Sequence, residues 1–303
     1  MTKDPRTQKP EAASHMLLFF IIPALGFLGW AGWKLISEVT APKKAESALI
    51  EKANKISEAK NDGGRWQAAY AFAQDLQRKL HSGELNALSG DDKKILFDKL
   101  QKLLEEFPQD YRLKKYLLLT LAELKEEKSL NIFLENLDSK DENIAFYSAW
   151  GFIEVINAHP ALQTDQHLER IKVWLKHEKT SFRKIASTFL VRDKKFHKSI
   201  AALLEDSDKE VQWNAAVALA SSGSALGKEK LKEMLSIHNI RAIGFRSKKD
   251  LVQFVATGIE AAEKLGDADV LASAKELASH AGSDSLEARA ISEAIQGFSF
   301  KAR

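Results

Sequence analysis

LLEDSDKEVQWNAAVALASSG, residues Leu203 to Gly223, reads as the end of one short helix, a turn and a second helix. Ser207 followed by Glu210 has the spacing of a capping box, in which each side chain satisfies a backbone donor at the helix start, and Gly223 suits the stop. The second helix is then expected from Val211 to about Ser221. Counted from Val211, apolar or small residues fall at offsets 0, +4, +5 and +8 (Val211, Ala215, Ala216 and Leu219), which places them on one side of a helix. The paired alanines let another helix come close. One such helix cannot bury its face alone, so the same spacing should recur along the chain.

It recurs from Gly64 (Ala68, Ala69, Phe72), Leu113 (Leu117, Leu118, Leu121), Ile144 (Ser148, Ala149, Phe152), Phe182 (Ala186, Ser187, Leu190) and Leu251 (Val255, Ala256, Ile259). With Val211 the pattern fits six times, at intervals of 49, 31, 38, 29 and 40 residues, the first lengthened by a loop around His81 to Asp92. Each fit after the first is preceded by a partner helix: KKILFDKLQKLL, SLNIFLENL, HLERIKVWL, FHKSIAALL and KEKLKEML, while ESALIEKANKISEAK precedes the first. Helix pairs stacked side by side share their core with their neighbours.

A loop acid, a branched or bulky apolar residue, often an Arg next, then two small residues and a Leu: from Ala45 to Phe300 this sequence resembles HEAT repeats, particularly the short bacterial type. DSDKEVQWNAAVALASSG and NDGGRWQAAYAFAQDL match best. The resemblance implies an all-α, HEAT-like α-solenoid of about six helix pairs, residues 46–300, whose usual work is protein–protein interaction, and it brings no catalytic residues. The family's Asp-to-Arg ladder is expected only in part. Asp62 stands beside Arg65, Arg183 has no loop Asp near it, and Gln212 and Val252 replace the Arg.

Ahead of the repeats the chain is different. Residues 1–15 are polar, carry Lys3, Arg6 and Lys9, and are expected to be a disordered tail. Met16 to Trp33 is uncharged, and Leu35 and Ile36 extend the run beyond Lys34, so residues 16–36 are long enough to cross a hydrocarbon core of about 30 Å as a single transmembrane helix. Trp30 and Trp33 suit the membrane interface. Val39-Thr40-Ala41 resembles a signal-peptidase site, but Pro42 would follow the cut and the apolar run exceeds that of a signal peptide, so an uncleaved anchor is the better reading. Residues 37–45 are left as a linker. Three Lys or Arg flank the span on each side, and Lys52 and Lys55 tilt the count toward a cytoplasmic C-terminal part. The expected location is therefore a membrane, by the resemblance the bacterial inner membrane.

Composition narrows the function. The 303 residues are 45% apolar, with 45 Lys plus Arg against 42 Asp plus Glu, and a net charge of +3 describes a mixed, solvated surface that makes nucleic acid an unlikely partner. No cysteine is present, which excludes disulfides, thiolate metal sites and a cysteine nucleophile. Eight histidines are scattered with no i, i+4 pair and no HExxH, and there is no phosphate-binding Gly-rich loop, GxSxG or DxDxDG. No enzyme, cofactor or metal is expected. Asp91-Asp92 and Asp141-Glu142 stand at helix starts, where carboxylates cap and complement the dipole.

Two surfaces remain as candidates. Offsets +2 and +6 of the pattern lie opposite the packed face and carry Trp66, Tyr70, Phe146, Trp150 and Trp213, which form either an aromatic stripe lining a partner groove or rings packed between successive second helices. A basic patch, Lys228, Lys230, Lys232, Arg241, Arg246, Lys248 and Lys249, could meet anionic lipid or protein. The leading expectation is a membrane-anchored, non-enzymatic scaffold or adaptor that binds another protein near the membrane. The alternative is a lipid- or small-ligand-binding module that uses the stripe and the patch.

Overall fold

A computed structural model describes residues 42–82, 89–243, 245, 247–279 and 286–295. These residues are all-helical, with no strand among them. No helix among the described residues is long and apolar enough to cross a membrane, and the expected anchor at residues 16–36 lies outside them, as does the polar tail. The first helix begins at Pro42, inside the span expected as linker, where proline's missing N–H costs nothing.

The chain divides into two compact units, the first ending at Arg170 and the second beginning at Ile171. The first contains α1 (Pro42–Glu58), α2 (Asp62–His81), α3 (Gly90–Glu106), α4 (Tyr111–Leu124), α5 (Ser129–Asn136) and α6 (Glu142–Ala158). They form three pairs in which the second helices make one row, α2 against α4 and α4 against α6, while α1 packs on α2 and α3. Polar bonds hold α1 to both neighbours: Lys52 on α1 donates to the buried carboxylate of Asp75 on α2 at 2.7 Å, and Lys99 on α3 donates to Asn54 on α1 at 2.6 Å. The division falls within α7 (Asp165–Val173).

The second unit repeats the plan. Its row of second helices is α8 (Thr180–Leu190), α10 (Lys209–Ser221), α13 (Lys248–Leu265) and α15 (Leu286–Ile295), each packed on the next. Their partners are the 3-10 turn Trp174–Lys176, α9 (His197–Ala201) with its 3-10 extension Ala202–Glu205, α11 (Lys228–Met234) and α14 (Ala268–Ser279), and the short α12 (Ile237–Ile243) follows α11. The pair α14 and α15 goes beyond the six expected fits. Leu286, Ala290, Ile291 and Ala294 in fact carry the same 0, +4, +5, +8 spacing, and Ile291 and Ala294 are buried.

The spacing locates the core. At its six expected fits every position is buried except Gly64, Ala68 and Ala256, which are half-buried. Helix ends follow local chemistry. Ser89 and Asp92 form a capping box at α3, Asp110 and Asp141 cap α4 and α6, and Ser247 caps α13. At α10 the cap is not Ser207 but Asp208, whose carboxylate accepts from the N–H groups of Glu210 and Val211, so the helix starts two residues before Val211. Its other end is a Schellman turn: Gly223 sits at φ 78°, its N–H reaching Ala220 O and that of Ser224 reaching Leu219 O, both at 2.9 Å.

The ladder rung at Arg183 exists after all. Its guanidinium takes Asp206 in a fork, Nε to Oδ2 and Nη2 to Oδ1 both at 2.8 Å, and Nη1 donates to the carbonyls of His177 and Glu178. The acid lies in the loop before the next second helix, not in the loop before Arg183's own, so a search upstream misses it. Lys184 to Glu210 at 2.9 Å and Ser187 to Asn214 at 2.7 Å continue the polar seam between α8 and α10.

Breaking the fork strands a buried guanidinium. We expect Asp206→Asn to cost about 3 kcal/mol, with Arg183→Met/Asp206→Leu recovering part of the loss. Urea denaturation of the full-length chain in non-ionic detergent measures both, and a single-variant loss below about 1 kcal/mol would mean the rung is solvated. The close contact at α10 has its own signature. A Cβ added to Gly227 would stand 2.8 Å from Ala216 O and 3.0 Å from its Cα, so the turn presses directly on the paired alanines. Ala216→Leu should therefore cost about 1 to 3 kcal/mol more than Ala218→Leu, and equal losses in the same urea series would show the register to be misplaced.

Candidate functional site

The aromatic stripe divides into buried and accessible members. Trp213 is 4% exposed, its ring edge-on to Phe254 of α13 at 5.4 Å, and Phe146 is 8% exposed, edge-on to Tyr147 at 5.5 Å. Neither can line a groove. The reason is that a second helix inside the row has a neighbour on each flank, so offset +2 of α10 points into α13 and not into solvent. The indole N–H of Trp213 and that of Trp150 are buried without a hydrogen-bond partner. Trp150 itself is half-buried.

Trp66 and Tyr70 on α2 do reach the surface. Trp66 stacks on Tyr116 of α4 at 6.5 Å, and Tyr70, which is 42% exposed, tilts against the same ring at 5.2 Å. Tyr116 thus joins the cluster, although no offset of the pattern had singled it out. Burial, followed by the neighbouring Tyr70, pushes its phenol above the ordinary tyrosine range and keeps it neutral. Cations flank the rings, with the Arg112 guanidinium 6.0 Å over Trp66 and the Lys115 ammonium 5.2 Å over Tyr116.

Beside this cluster opens a cleft of about 750 Å³ at the amino-terminal ends of α2 and α4, with Trp66, Phe107, Tyr111 and Arg112 among its walls. Arg65 spans it: the guanidinium lies 4.1 Å over the Phe107 ring and pairs with Asp62 and, at 3.9 Å, with Asp110. Arg65 Nε and Asp110 Oδ2 are buried without hydrogen-bond partners, while Asp110 Oδ1 accepts from Leu113 N at 3.0 Å. Tyr111 projects outward and is 54% exposed. The cleft's residues come from the first turns of α2 and α4, the end of α3 with the loop after it, and the cap of α6, which only the stacking of pairs brings together.

The basic patch is largely cancelled by its own neighbours. Lys228 donates to Asp269 at 2.7 Å and lies 3.0 Å from Asp267, and these bonds hold its ammonium protonated well above the ordinary lysine range. Lys230 pairs with Glu233, Lys232 with Glu229 and Lys248 with Glu293. Arg241 and Lys249 are exposed, and Arg246 lies outside the described residues. Four of the seven expected cations thus face carboxylates, three of which, Asp267, Asp269 and Glu293, are brought in by the fold from beyond α13.

Among the described histidines, His159, His177 and His197 have structural partners. His159 and His197 each bond a backbone carbonyl at 2.8 Å, and His177 stacks on Phe182 at 4.3 Å. Among the described residues no group of three or more His, Asp or Glu could hold a metal ion.

No family model and no curated protein matches the sequence. Among solved structures, the crystal structure of an engineered protein is similar at 16% identity, covering 82% of this chain and 77% of that one with a TM-score of 0.37.

The buried and exposed rings should respond differently to truncation. Trp213→Ala is expected to cost about 3 to 5 kcal/mol, Tyr70→Ala about 0.5 kcal/mol or less. Thermal and urea unfolding of the two variants decide it, and a Trp213 variant as stable as the parent would return that ring to the surface.

Proposed function

We propose that this chain is a HEAT-like α-solenoid held at a membrane by residues 16–36, and that it works as a non-enzymatic scaffold binding another protein there. The observation that carries the reading is the accessible aromatic cluster of Trp66, Tyr70 and Tyr116 beside an open cleft on stacked helix pairs. Exposed aromatics on a rigid helical row suit protein recognition, because they bury large area on binding at low entropic cost. The run from Met16 to Ile36, long enough to span a bilayer, supports the membrane part. Excess of Lys on the C-terminal flank favours a cytoplasmic position for the repeats. Lipid binding through the Lys228 to Lys249 region draws less support, since ion pairs cancel most of the charge an anionic headgroup would seek.

A photo-crosslinking amino acid at Tyr70, in native membranes, tests the proposal. The expected product is one discrete protein adduct that is absent when the same group replaces Lys249. Adducts with lipid alone, or none at Tyr70, would overturn the scaffold reading.

A further inference from the structure

The cleft beside Trp66 has a chemistry of its own. Four carboxylates line it, Asp62, Glu106, Asp110 and Asp141, against two cations, Arg65 and Arg112. Arg65 is already consumed: it pairs with Asp62 and Asp110 and stands 4.1 Å over the Phe107 ring. The chain itself therefore demonstrates what these walls hold, a guanidinium sandwiched between an aromatic face and two carboxylates. A second set of the same parts remains beside it. Tyr111 offers an aromatic face more than half exposed, and carboxylate oxygens come from Glu106 and from Oδ2 of Asp141, whose Oδ1 caps α6. Among the described residues Glu106 meets the largely exposed Lys102, at 3.5 Å, a solvated pair that a better-placed cation displaces readily.

We infer that the cleft takes an arginine or lysine side chain from a basic segment of the bound protein, seated on Tyr111 between Glu106 and Asp141. The inference rests on the scaffold reading above and names the chemistry of the partner. An acidic segment fits poorly for two reasons. The lining carries an excess of negative charge, so a carboxylate would be repelled. The positive ends of α4 and α6, which could otherwise attract an anion, are already capped by Asp110 and Asp141.

The test uses the full-length chain in non-ionic detergent and two labelled hexapeptide amides, acetyl-Gly-Ser-Arg-Arg-Ser-Gly and its Glu-Glu twin, followed by fluorescence anisotropy. The Arg-Arg peptide should bind about tenfold more tightly than the Glu-Glu one, and weaken as salt rises. Glu106→Gln/Asp141→Asn should reduce its binding by about fivefold or more, with the fold kept because Asn caps a helix as well as Asp does. Tyr111→Ala, at an exposed position, provides a second variant and should weaken the same peptide. Equal or tighter binding of the Glu-Glu peptide, or Arg-Arg binding indifferent to both variants, overturns the inference. The Tyr70 crosslink separates the two proposals: full adduct yield from Glu106→Gln/Asp141→Asn overturns the basic-segment inference and leaves the scaffold standing. A parent chain with no adduct removes the scaffold instead, while the peptide comparison still decides the cleft's preference for charge.

Discussion

Close approach between helices is the constraint on which the second unit depends. α10 has α8 on one flank, α13 on the other and the turn Ala225–Gly227 against its backbone. Only small side chains allow three neighbours at once. Ala215 and Ala216 have no exposed surface, and Gly227 leaves no room for even a methyl group above Ala216. A helix so surrounded gains its stability from dispersion and apolar burial spread over both faces, which is why an aromatic ring on the side opposite the main core can still be buried. The first unit uses the same device at Gly151, where an added Cβ would stand 2.3 Å from the Phe133 ring.

Apolar faces alone would let neighbouring pairs slide, since burial is not directional. Polar seams remove that freedom. Arg183 forks onto Asp206 while tying down two carbonyls of its own loop, and Lys184 with Ser187 repeats the link further along α10. In the first unit Arg65 plays the corresponding part against Asp110, at a looser 3.9 Å and with Phe107 beneath it. The rung that is tight closes its loop, and the rung that is loose borders an open cleft. One arrangement thus recurs in both units, an arginine of one second helix directed at an acid in the loop before the next.

The surface that results is uneven in a way that bears on the proposed binding. Charges around α11 and α13 neutralise one another over short distances, leaving little net field. Around the first turns of α2 and α4, by contrast, half-exposed rings stand beside carboxylates that outnumber the cations. Aromatic area with an unbalanced rim is the combination that discriminates partners, the rings supplying affinity and the charges supplying choice.

The sequence by itself determined what depends on local periodicity and local capping. The 0, +4, +5, +8 spacing placed the buried face of every second helix it was read on, and the same spacing at Leu286 to Ala294 stood in the sequence unread. Asp141 and Asp92 were legible as capping residues because a cap acts within one turn. Ser207 against Asp208 was a matter of one residue, which spacing cannot resolve when several cap formers adjoin. Only the tertiary structure decided which residues from different pairs meet. Asp206 lies 23 positions from Arg183, Asp269 lies 41 from Lys228, and Tyr116 reaches Trp66 and Tyr70 from the next second helix. Those meetings are set by the stagger and rotation of one helix pair on the next, quantities that no residue encodes alone. The burial of Trp213 and Phe146, the cancelled patch and the cleft over Asp110 all follow from that stacking, and so lay beyond what hydrophobic period could tell.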